Sequence, residues 1–149
     1  MGPGAWAFNS ALVITGFLLG MFSIMGVRPL LGSPMISKVA IAFLAIDGIL
    51  LACIGIFTED FDPEHYIFSV AFFLTFLLTL VLMTLALWKT KVLGTFGYAF
   101  SAIMVVIGLI LLPMGGNPFS ETVAVFSIVV WGIGISVAAL LKESGRRIP

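Results

Sequence analysis

Asp47 is the side chain in this sequence with the most chemical potential. It lies inside an apolar run that ends near Phe57. If that run is a membrane helix rising 1.5 Å per residue, the carboxyl sits roughly 15 Å below the end of the run. An ionised carboxylate at such depth costs on the order of 3 kcal/mol on insertion scales. It must therefore face other helices or a wet cavity. No Lys or Arg lies within the apolar runs to pair with it, but hydroxyls stand at similar depth: Thr15, Thr75 and Thr79. Thr75 and Thr79 are four apart and share a helix face. Two readings stay open. Asp47 serves a proton or cation relay, or anchors a polar ligand; or it is a protonated carboxyl hydrogen-bonded between helices as packing glue.

The second feature is Thr58-Glu59-Asp60-Phe61-Asp62-Pro63-Glu64-His65-Tyr66. Glu59, Asp60, Asp62, Glu64 and His65 are a candidate ligand set for a divalent cation, and hard oxygens suit calcium or magnesium. The segment lacks the glycine and the ligand spacing of an EF-hand loop, and zinc would want more His or Cys. The alternative is a solvated acidic loop whose Glu64 favours a helix N-terminus through the dipole. With His65 the single histidine of the chain, a bis-histidine haem site is excluded and no haem is expected. The cofactor is otherwise unassigned.

A third set is spread along the chain. Asn9 and Ser10 begin the first apolar run, while Asn117 and Glu121 begin the last. In one bundle they would share a rim with the acidic segment, as a ligand vestibule or as ordinary interfacial polarity. The sequence contains no nucleophile elbow, no HExxH and no Walker loop, so it leans away from an enzyme. Cys53 is the lone cysteine, which leaves no intrachain disulfide and no thiol metal motif.

The elements that must position these residues follow from composition. Of 149 residues, 61% are hydrophobic and 9% charged, and mean hydropathy is +1.25. That charge cannot cover a soluble domain, and disorder needs low hydrophobicity. An integral membrane protein remains, one all-α transmembrane domain over residues 1–149. Five apolar segments, near 6–27, 39–57, 66–87, 92–112 and 122–141, read as spans. Continuous apolar runs, unlike alternating strands, require helices, because lipid offers no partner to a free backbone group. Arg28-Pro29 and Gly32-Ser33-Pro34 end the first span; Ser120 is the expected N-cap of the fifth, with Glu121 in its first turn. Gly16 and Gly20 form a GxxxG pair, and Gly132, Gly134 and Ser136 a second thin face.

Orientation follows from the bases. Arg28 and Lys38, then Lys89 and Lys91, then Lys142, Arg146 and Arg147 fall after odd-numbered spans, all on one side. The positive-inside rule makes that side cytoplasmic, with the N-terminus outside and the C-terminus inside. Net charge is zero, so nucleic acid is not an expected partner; membrane lipid is, together with other membrane helices or further copies of the chain.

Two stretches resemble a known family. Phe8-Asn9-Ser10-Ala11-Leu12-Val13-Ile14-Thr15-Gly16 resembles the FNSxLxxxG stretch of the prokaryotic multispan family called domain of unknown function 998. Gly55-Ile56-Phe57-Thr58-Glu59-Asp60, followed by His65, resembles its GIFPED…H segment, with Thr58 in place of the usual Pro. The resemblance reaches over about residues 8–141 and implies Asn9, Glu59, Asp60 and His65 as signature polar residues in a prokaryotic plasma membrane protein. Family members carry six spans with one before the Phe-Asn-Ser stretch, so the resemblance implies a missing first span here and, with it, a packing surface to be filled by oligomerisation. It implies no activity. Three functions therefore compete: transport or binding of a cation or small polar ligand through Asp47 and a polar cavity; a non-catalytic accessory or assembly subunit; and an outer-leaflet lipid-modifying enzyme using Glu59, Asp60 and His65.

Overall fold

The computed structural model describes residues 4–114 and 117–145, and among them every regular element is a helix. Five helices are long and apolar enough to cross a membrane. They are α1 (Ala5–Leu31), α2 (Met35–Ile56), α3 (Glu64–Thr90), α4 (Gly94–Leu111, prolonged by a 3₁₀ turn at Leu112–Met114) and α5 (Pro118–Glu143). The chain is an integral membrane protein.

Each helix packs antiparallel on the one before it, in the order α1-α2-α3-α4-α5. The bundle therefore has an acidic end, with the α2–α3 and α4–α5 connections, and a basic end, with the α1–α2 and α3–α4 connections. Arg28, Lys38, Lys89, Lys91 and Lys142 lie toward the basic end; Arg146 and Arg147 lie outside the described residues. α3 is central: Phe72, Phe76, Leu80, Met83 and Leu87 are buried along it. Phe76 meets Trp131 of α5 edge to face, with ring centroids 5.8 Å apart. Trp131 Nε1–H donates to Ser101 Oγ of α4 (3.0 Å), and Ser101 donates in turn to the Gly97 carbonyl (2.9 Å). This buried polar chain fastens α5, whose indole proton would otherwise lack a partner in an apolar core.

Three local findings correct the sequence reading. Arg28-Pro29 does not end the first helix. The chain passes through a π-helical segment, Phe22–Val27, in which Arg28 N–H reaches the Ser23 carbonyl five residues back. The wider turn relieves the clash that a proline ring makes with the carbonyl four residues before it. The helix instead stops at Gly32, whose φ of +69° suits a residue without Cβ. The N-cap of α5 is Asn117 rather than Ser120: the Asn117 side chain accepts the Ser120 N–H at 2.9 Å, and Pro118 occupies the first turn, where its missing N–H is harmless. The GxxxG face is used asymmetrically. Gly16 is buried against Gly48 and Ala52 of α2, whereas a Cβ at Gly20 would meet nothing within 4 Å.

Candidate functional site

Asp47 is fully buried between α2 and α3. Thr79 Oγ1 donates to its Oδ2 at 2.5 Å, and among the described residues Oδ1 has no hydrogen-bond partner. Thr75 is on the same face of α3 and close to the carboxyl, but its hydroxyl donates to its own helix, to the carbonyls of Ala71 (2.7 Å) and Phe72 (3.1 Å). Gly48, next in sequence, presses on α1 so tightly that no side chain fits there.

At the acidic end the α2–α3 connection folds back on itself. His65 Nδ1–H donates to the Phe57 carbonyl at 2.7 Å, and the Phe57 ring stacks on Phe68 at 5.0 Å. Glu59, Asp60, Asp62 and Glu64 are exposed. The hydrogen bond spans the whole connection, so His65→Ala should open it. With about 1 kcal/mol lost, roughly fivefold faster cleavage after Glu59 by a Glu-specific protease is expected. An unchanged rate would show that the aromatic stack alone holds the turn.

A cleft of about 280 Å³ runs between α3, α4 and α5. Its deeper walls are apolar: Phe73, Leu77 and Leu80 of α3, Met104 and Ile107 of α4, and Ile128 of α5. Its polar groups gather toward the acidic end, at Tyr66, Ser69, Ser120 and Glu121, with Ser127 further in. Gly108 lines it on the α4 side, close against Leu77, and Ala124 on the α5 side. A second cleft, about 470 Å³, separates the π-helical segment of α1 from the basic end of α5; Met25, Pro29, Ile135 and Lys142 are among its walls. Asp47 lines neither.

A family model described as protein of unknown function (DUF998) matches residues 1–141. The chain belongs to the DUF998 family. No curated protein and no solved structure matches it.

In this DUF998 protein the polar residues singled out in the sequence do not form one site. Thr79 meets Asp47, as its depth and face suggested. Thr15 does not: it is exposed on α1, because the neighbouring Gly16 takes the contact with α2. Asn9 is half-buried where the α1 backbone passes Gly55, and Ser10 is exposed; neither lines the α3–α4–α5 cleft, whereas Glu121 does. The proposed cation ligands do not converge. Among the described residues no three His, Cys, Asp or Glu side chains are placed to hold one metal ion. The four acids of the 59–64 stretch project outward, while one His65 nitrogen is engaged by Phe57. Tyr66, Ser69 and Ser127 are site residues that sequence reasoning missed. Their signal is weak, since each is a single hydroxyl on an apolar helix and only the packing of three helices brings them together.

Proposed function

We propose that this protein binds a single-chain amphipathic molecule, drawn from the lipid phase, in the cleft between α3, α4 and α5. The observation that carries this reading is the polarity gradient of the cleft: hydrocarbon walls at Leu80, Met104 and Ile128, hydroxyls and a carboxylate at its acidic end. A ligand of matching shape buries a tail against the walls and keeps its head at the rim. About 280 Å³ is near the lower limit for small-molecule sites, which suits one alkyl chain better than two. The transport reading draws less support, because its central residue, Asp47, is sealed from both clefts. The bases gathered at the opposite end favour an orientation in which the rim faces out of the cell, in a plasma membrane.

Photolabelling tests the reading. The protein, in nanodiscs of zwitterionic lipid, is exposed to a dodecyl maltoside analogue with a diazirine near the chain terminus. Label should concentrate on peptides bearing Leu80, Met104 and Ile128, relative to the lipid-facing Phe17 and Leu18 of α1. Ala124→Trp, which fills the cleft from α5, should lower that ratio about fivefold, equivalent to roughly 1 kcal/mol of binding. Label spread evenly over all exposed faces, and indifferent to Ala124→Trp, would end the proposal.

A further inference from the structure

We infer that the cleft selects a cationic head, a protonated or quaternary amine, through Glu121. The inference rests on the amphipath reading above and adds the chemistry of the head. Three observations support it. First, among the described residues Glu121 is the one charged side chain lining the cleft. Second, among the described residues no Lys or Arg lies at that end to hold an anionic head; Arg28, Lys38, Lys89, Lys91 and Lys142 lie toward the opposite one. Third, the Ser127 hydroxyl, further in, spends its proton on the Val123 carbonyl (2.8 Å), so it offers no donor to an anionic group.

The N-terminus of α5 is the obvious objection, since helix N-termini attract anions. The magnitudes decide. The macrodipole amounts to roughly half a positive charge, and Glu121 in the first turn carries a full negative one. Asn117 has also taken the Ser120 N–H, a donor that an anion would need. The rim stays net negative. The exposed Glu64, two residues before Tyr66, adds to the same field from α3.

Three photoreactive probes with one dodecyl chain and different heads test this: trimethylammonium, sulfate and maltoside. Labelling of the cleft is divided by labelling of the Phe17 and Leu18 face, which removes differences in partition into the bilayer. The ammonium probe should exceed the sulfate probe by about fivefold at low salt, with the gap narrowing as salt is raised. Glu121→Gln should abolish the preference of ammonium over sulfate; Glu121→Lys should reverse it toward sulfate. Glu121 is exposed, so neither change threatens the fold. Equal labelling by ammonium and sulfate, or a preference that survives Glu121→Gln, overturns the cationic head and leaves the amphipath reading standing. No cleft labelling by any of the three removes both.

Discussion

Gly48→Ala should be among the most damaging single-methyl additions in this protein. A Cβ built on Gly48 lies 2.6 Å from the Gly16 carbonyl oxygen and 2.9 Å from the Gly20 nitrogen. Both are backbone atoms of a helix, so neither can rotate aside. The methyl group must push α1 off α2, the helix that provides most of its packing. Overpacking costs about 1–3 kcal/mol where side chains can adjust; against rigid backbone the loss should reach the top of that range. Gly16→Ala should behave alike, since its Cβ would stand 2.7 Å from the Ala52 nitrogen. Gly20→Ala is the discriminating variant. As a GxxxG partner it should fail with Gly16, but the space beside it is open, so its stability in mild detergent should match or exceed wild type. Thermal unfolding of the three variants gives the ranking. Were Gly20→Ala as harmful as Gly16→Ala, something absent from the isolated chain, such as a second copy, would be covering that face.

The glycines show what sequence can and cannot reveal here. The five spans were legible because lipid imposes one rule on every residue of a span, and a continuous apolar run satisfies it openly. Helix limits were less so. Pro29 reads as a stop because the π turn that admits it has no residue signature, and Ser120 competes with Asn117 as a cap because the two are equally good capping residues by type. The candidate site was least legible. Asp47 announced itself through its cost, and its partner Thr79 followed from depth and helical phase. The cleft did not, because its wall residues look like any lipid-facing leucine until three helices are placed around a gap. Thr15 failed for a related reason: depth fixes height along a bundle, but rotation about α1 is set by which glycine touches α2.

Asp47 and Thr79 offer a test in which removing one partner should cost far more than removing both. Thr79→Val should destabilise the protein by about 2 kcal/mol, because it leaves a fully buried carboxyl with neither oxygen bonded. The reverse deletion is gentler. Without Asp47, the Thr79 hydroxyl can turn to the carbonyl four residues back, as Thr75, Thr84 and Thr90 do to Ala71, Leu80 and Ala86. Asp47→Val should therefore be close to neutral, and Thr79→Val should add almost nothing in that background. The coupling energy of the cycle would then approach 2 kcal/mol, above the roughly 0.6 kcal/mol average for hydrogen bonds between membrane helices. Reversible unfolding in mixed micelles supplies all four stabilities. The outcome also bears on function. A Thr79→Val variant as stable as wild type would mean that Asp47 finds water or an ion in its place, and a carboxylate solvated at that depth would return the relay reading to first rank. A large, non-additive loss instead marks the pair as a clasp between α2 and α3, holding the central helix whose other face forms one wall of the cleft.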